Sequence, residues 1–268
     1  MASSSSVSRP KTVREIRKIM KELNLDDIAL HFNSDDDDID PYDVCDGVSI
    51  DAFNAYIGDG EGLRIGLRFI SLSSDGHIII IELPTPVHES TAQVFSTKFL
   101  LATGNEDVVS ERGSMTAIRP GHLKKEADAA FGPTRSTHGL PPPQGREFWY
   151  WATLVVEVGR TQTWRKLEEA AQWWCDYAGV QYILLLKVSG DATQIRYGLY
   201  SIVTQGVLPA PEQSGIFRQS TPPACPVNVT FDMRRILAIA PNQLLPNGVN
   251  PQAVVNLRQV MDKVINGL

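Results

Sequence analysis

The chain of 268 residues is 43% hydrophobic and carries 25 Lys and Arg against 31 Asp and Glu, for a net charge of −6. That length and apolar fraction support one full core or two small ones, and no apolar run approaches the roughly 18 residues needed to cross a bilayer. Phosphate-backbone binding draws its affinity from clustered Lys and Arg, so the acidic balance argues against a general nucleic-acid binder. It leaves room for a local basic groove, or for a nuclease whose metal ions supply the positive charge.

The segment Met1–Pro10 is rich in serine and lacks an apolar h-region, so it reads as a disordered lead-in rather than a secretory signal. Cys45, Cys175 and Cys225 lie far apart with no CxxC pair. That spacing gives neither a cysteine zinc cluster nor a disulfide framework, and points to a reducing compartment, cytoplasmic or nuclear. The sequon at Asn228 then has no glycosylation machinery to meet.

In chain order, Thr12–Asn24 is expected as a helix. Thr12 and Glu15 make a capping box, and Val13, Ile16, Met20 and Leu23 form an apolar stripe. Arg14, Arg17, Lys18 and Lys21 occupy its other faces, as a solvated surface or a basic contact surface. The acidic run Ser34–Asp40 is expected as an exposed loop. Counting from Asp35, the sixth and twelfth positions are Asp40 and Asp46 rather than the Gly and Glu of a calcium-binding loop.

Alternation from Leu63 to Leu72 predicts a half-buried strand, followed by a turn at Ser73–Gly76 and a buried strand Ile78–Glu82. Val87–Ala102 reads as a helix, and Glu126–Phe131 and Thr153–Val158 as short strands. The Pro- and Gly-rich stretch 132–145 between them reads as a surface loop. Lys166–Tyr177 is helical, and Tyr182–Val188 and Ile195–Val203 are strands. Pro209–Pro226 is a loop, Val227–Asp232 a strand and Pro251–Ile265 a final helix. The fold class expected is α/β, a mixed sheet flanked by helices. The expected division is a lead-in over 1–10, a helical and acidic-loop extension over 11–60, an α/β core over 61–205 and a C-terminal extension over 206–268.

Two carboxylates stand in apolar sequence of strand character, Asp128 in Glu126-Ala-Asp128 and Glu157 in Val155-Val-Glu157-Val-Gly159. A carboxylate on the inward face of a strand is costly unless it is paired, hydrogen-bonded or bound to a metal. On adjacent strands the two can share Mg2+ or Mn2+ with waters; equally, periodicity alone allows strand-edge carboxylates in solvent.

These segments, continuing through Ala178-Gly-Val180 and Ile183-Leu-Leu-Leu186, resemble the PD-(D/E)XK restriction-endonuclease-like superfamily. More narrowly, they are similar to the bacterial Uma-type family of restriction-endonuclease-like proteins and its eukaryotic relatives. The resemblance runs from His77 to Val188 and includes His88-Glu89 at the start of a helix. It implies metal binding by Asp128 and Glu157, with Glu89 as a third carboxylate. His88 is either part of that site or structural.

The superfamily's lysine normally lies two residues past the Glu, where this chain has Gly159. Relatives that move it to the following helix use a position that falls on Ala171, beside Gln172. Gln162 and Lys166 are the remaining candidates, Gln162 to position a water or phosphate oxygen and Lys166 to stabilise an attacking hydroxide. Trp149, Tyr150 and Trp151 on one side of Glu157, and Trp164, Trp173 and Trp174 on the other, can stack bases or fill a core.

The resemblance therefore implies a Mg2+- or Mn2+-dependent endonuclease acting on DNA, without a membrane partner and with a homodimer left open. The alternative is an inactive protein of the same fold that binds nucleic acid or another protein. The acidic charge and Gly159 favour that alternative, while the retained Asp128, Glu157 and Glu89 oppose it.

Overall fold

The computed structural model describes residues 9–33, 38–113, 115–137, 139–222 and 226–268. The chain divides into two compact units, one of residues 1–83 and 116–126, the other of 84–115 and 127–268. Most of the lead-in, residues 34–37 of the acidic run, and Cys225 lie outside the described residues.

The first unit holds helices α1 (Val13–Glu22) and α2 (Leu25–Phe32), strand β1 (Tyr42–Cys45), helix α3 (Ile50–Ile57), and strands β2 (Ile70–Leu72) and β3 (Ile78–Ile80). The expected capping box is present. Thr12 Oγ1 accepts from Glu15 N at 3.3 Å, and Glu15 Oε2 accepts from Thr12 N at 2.8 Å. Such a cap is worth about 1 kcal/mol. Ile16 and Met20 are buried, while Arg14, Arg17, Lys18 and Lys21 are all exposed.

Only Ile70–Leu72 of the expected strand Leu63–Leu72 is extended, because Leu67–Phe69 winds into a 3-10 turn. Ile65, Leu67 and Phe69 are buried all the same, so the alternation reported burial correctly and backbone conformation wrongly. The strands form one antiparallel sheet in the order β1-β3-β2. The returning segment 116–126 is held by Thr116 Oγ1, which donates to Asp59 O at 2.8 Å. Asn54 clasps it as well, accepting from Lys124 N at 2.9 Å and donating to His122 O at 2.8 Å.

The second unit begins with helix α4 (Pro86–Ala102) and strands β4 (Val109–Glu111), β5 (Ala129–Pro133) and β6 (Leu154–Gly159). Helix α5 (Trp164–Cys175) then leads to strands β7 (Tyr182–Val188), β8 (Gln194–Ser201) and β9 (Gln213–Arg218). After them come β10 (Asn228–Asp232), α6 (Met233–Ile236), β11 (Gln252–Asn256) and α7 (Leu257–Ile265). Six strands form one mixed sheet in the order β4-β5-β6-β7-β8-β9, in which β6 and β7 run parallel and every other pair is antiparallel. Parallel neighbours need a crossover, and α5 supplies it.

Helices flank both faces. Leu154, Val156 and Val158 of β6, with Leu184 and Leu186 of β7, share a core with Phe95 and Phe99 of α4 and Val260 and Met261 of α7. The intervening residues, Val155 and Glu157 on β6 and Ile183 and Leu185 on β7, face the side covered by α5. This is the α/β mixed sheet flanked by helices that the sequence led one to expect.

Three segments of this unit differ from expectation. Pro209–Pro226 contains β9, which pairs with β8 over Gln213–Arg218 instead of looping. The expected helix Pro251–Ile265 begins only at Leu257. Before it, β11 pairs antiparallel with β10, burying Ala253 and Val255 while Val254 faces out. Asn256 then caps α7, its Oδ1 accepting from Arg258 N at 3.0 Å. Gly132 and Pro133, expected in a loop, close β5.

Candidate functional site

Asp128 occupies the bend immediately before β5, and Glu157 lies within β6. The antiparallel register pairs Ala129 with Val156 and Ala130 with Val155; Asp128 directly precedes that ladder, and Glu157 directly follows Val156 on the neighbouring strand. The Asp128 side chain is 4% exposed and Glu157 is likewise buried. Each has polar partners, as buried carboxylates must: Asp128 Oδ2 accepts from Val158 N at 2.7 Å, and Glu157 Oε1 accepts from the indole N–H of Trp174 on α5.

The start of α4 is fixed by Thr85, whose side chain caps His88 N at 3.2 Å, and by Pro86 in the first turn, where its missing N–H costs nothing. His88 is buried, and Glu89 is partly open, its side chain 43% exposed. His88 Nε2 lies 3.0 Å from Val158 O and 3.3 Å from Asp128 Oδ1, and Nδ1 lies 3.0 Å from Glu89 Oε1. Each ring nitrogen thus faces an oxygen, and the imidazole stands between Glu89 and Asp128. The peptide groups of Val158 serve the same cluster, N–H toward Asp128 and C=O toward His88. The sequence left His88 open between site and structure; here it joins two of the expected carboxylates.

Gln162 is buried in the turn after β6. A Cβ at Gly159 would fall 2.8 Å from Gln162 Cγ and 3.2 Å from Leu167 Cδ1, so the Gln162 side chain covers the point from which the superfamily's lysine would project. Lys166, at the start of α5, directs its ammonium to Glu169 Oε2 on the same helix at 2.7 Å. A cation that the sequence reading missed is Lys187. It pairs in register with Gly159 and lies two residues past Leu185, the partner of Glu157, on the same face of the sheet. Its ammonium donates to Gln162 O at 2.8 Å and Arg160 O at 3.1 Å. The only sequence signal was a single charge near the end of the apolar run Tyr182–Val188.

The tryptophans divide. Trp174 is wholly buried on α5 and Trp151 is nearly so, whereas Trp149 is 50% exposed and Tyr150 is open too. Burial pushes the Tyr177 hydroxyl up to about 12, with Arg146 opposing it from 3.5 Å above the ring. Trp151 and Trp174 therefore pack, Trp164 and Trp173 are half-buried, and Trp149 and Tyr150 are exposed.

No family model matches the chain, and no curated protein matches it. Three solved chains do. One is the crystal structure of a candidate nuclease belonging to DUF820 from Anabaena variabilis ATCC 29413. It is similar over 81% of this chain and 98% of its own, with a TM-score of 0.46 and 10% identity. Among the described residues, no three His, Cys, Asp or Glu side chains form a group that could hold a metal ion, and no helix is long and apolar enough to cross a membrane.

Proposed function

We propose that this protein is a metal-dependent nuclease that hydrolyses phosphodiester bonds in DNA, with Asp128 and Glu157 as its metal-binding carboxylates. The observation that supports this reading is a pair of buried, hydrogen-bonded carboxylates on neighbouring chain segments, Asp128 just before β5 and Glu157 within β6. Mg2+ is commonly held by one or two carboxylates together with waters and substrate phosphates, so a pair of oxygen donors suits Mg2+ or Mn2+ without a third. Such an ion supplies an activated water and stabilises charge on the phosphoryl oxygens.

The chain's own groups account for the rest. His88 orients Asp128 through Oδ1, and Glu89 holds the imidazole in place. Gln162 offers an uncharged amide beside Gly159, able to orient a water or a phosphate oxygen. Lys187 fixes the carbonyls of the turn that carries Gln162, and Lys166 can approach a phosphate only by leaving Glu169.

The test is cleavage of plasmid and linear DNA by purified protein in Mg2+ or Mn2+, against EDTA, with Mn2+ binding measured in parallel. Asp128→Asn and Glu157→Gln should each remove cleavage and weaken Mn2+ binding while leaving the circular dichroism unchanged. A folded wild type that neither binds Mn2+ nor cleaves DNA would sink the proposal. The second reading, an inactive nuclease-fold protein that binds nucleic acid or another protein, is favoured by one observation: Gln162 fills the space that the missing lysine would need.

A further inference from the structure

At the other end of β5 from Asp128, a hollow of about 210 Å3 is lined by Ser110, Arg112, Thr134, Arg135, Phe148 and Trp149. That volume is below the roughly 300 Å3 at which sites for whole small molecules begin, so it suits one phosphate and the edge of a ring.

Its floor is unusual in charge. Arg112 is 1% exposed. Its Nε donates to Trp151 O at 3.2 Å and one Nη to Pro133 O at 2.8 Å. Among the described residues it has no carboxylate partner, and neither has Arg135. Buried charges are ordinarily paired, yet here a buried guanidinium faces a second one. Alternation sends Glu111, between Ser110 and Arg112 on the chain, to the opposite side.

The aromatic groups lie against the same cations. Arg112 stands 5.1 Å from the Phe148 ring centroid and 5.8 Å from that of Trp149, and Arg135 stands 5.0 Å from Phe148. Trp149 keeps half its surface open. Two guanidinium groups match a phosphate in charge and geometry, the hydroxyls of Ser110 and Thr134 can donate to it, and an open indole offers a stacking face for a base.

We infer that this hollow is a subsite for one nucleotide of single-stranded nucleic acid, with its phosphate at Arg112 and Arg135 and its base on Trp149. Burial, and then the neighbouring Arg135, pull the Arg112 pKa down to about 10. The group remains charged at neutral pH, and an arriving anion relieves the repulsion. The subsite needs no cleavage to operate, and it gives an acidic chain a local cationic foothold apart from its carboxylates.

The experiment is binding of a fluorescent oligothymidylate to the full chain in EDTA, followed also by Trp149 fluorescence. Wild type should bind with an affinity that falls as salt rises. Trp149→Ala should weaken binding on the order of ten-fold, the scale of losing one stacked base, and Arg135→Ala should weaken it and flatten the salt dependence. Both side chains are surface groups, so the variants should fold, which thermal unfolding checks.

Equal binding by wild type and both variants overturns the inference. So does an abasic oligomer, inorganic phosphate or a phosphopeptide that binds as tightly as the oligonucleotide. The catalytic reading fails separately. Cleavage without Trp149-dependent binding would remove the subsite alone, and Trp149-dependent binding without cleavage would remove the nuclease alone.

Discussion

The indole N–H of Trp174 donates to Oε1 of Glu157, tying the crossover helix to the strand it covers. A hydrogen bond to a buried carboxylate is worth about 1.5–3 kcal/mol, and its loss leaves the charge under-satisfied. Trp174→Phe should therefore cost about 3–5 kcal/mol in urea unfolding once the lost ring volume is included. The same change in a Glu157→Gln background should cost less, because a neutral amide needs that donor less. Equal costs in the two backgrounds would show that the bond contributes nothing.

Gly159 and Gln162 should behave as a coupled pair. Gly159→Ala places a methyl group 2.8 Å from Gln162 Cγ, and overpacking of this kind costs about 1–3 kcal/mol. Gln162→Ala in the same chain opens the space and should recover most of that loss. A double-mutant cycle in urea measures the coupling; strictly additive effects would contradict the contact.

Lys166 and Lys187 make opposite predictions for cleavage. Were Lys166 the transition-state cation, Lys166→Ala would lower the rate by roughly 10²–10³, the scale of one lost electrostatic donor. With its ammonium engaged by Glu169, we expect a change of less than about ten-fold. Lys187→Met should free the carbonyls of Arg160 and Gln162, seen as faster amide exchange across the turn 160–163, and should lower the cleavage rate through Gln162. A slow Lys166→Ala enzyme with an unaltered Lys187→Met enzyme would reverse the assignment.

In the first unit, His77 Nδ1 lies 2.7 Å from Asp43 Oδ2. That hydrogen bond raises the His77 pKa, with the charges of Asp43 and Asp75 adding to it. A histidine raised in the folded state contributes stability that is complete below the unfolded value of about 6.5 and is lost as pH rises through the folded midpoint. The contribution is small, because the side chain is 32% exposed and screened. NMR titration should place the His77 midpoint above about 6.5 in wild type and lower in Asp43→Asn; an unmoved midpoint would discard the interaction.

Legibility followed the strength of the local pattern. Tyr182–Val188 was readable in full because a strand buried on both faces is a continuous apolar run, and α1 because its cap and stripe agree. The sheet-edge strand β9 was not: its half-buried positions Gln213 and Gly215 are not apolar, and of Gln213–Arg218 only Phe217 is buried, so the sequence shows no apolar alternation. β11 was hidden because a short apolar run fits either period, and only its pairing with β10 decides. Asp128 and Glu157 stood out as charges in apolar sequence. The part played by His88 did not, since Asp128 and Val158 O, which it meets, come from segments distant in the chain.

The chain passes between its two units three times, after Leu83, Met115 and Glu126. No single cleavage can therefore release either unit whole. A fragment ending at Leu83 keeps Asp59 and Asn54 but loses Thr116, His122 and Lys124, the groups that bond to them. A fragment beginning at Pro84 carries 116–126 as a stranded ribbon without those partners. Splitting the protein for study calls for splicing Met115 to Ala127 through a short linker and supplying the excised eleven residues to the other piece, and only pieces made that way can report whether either unit folds alone.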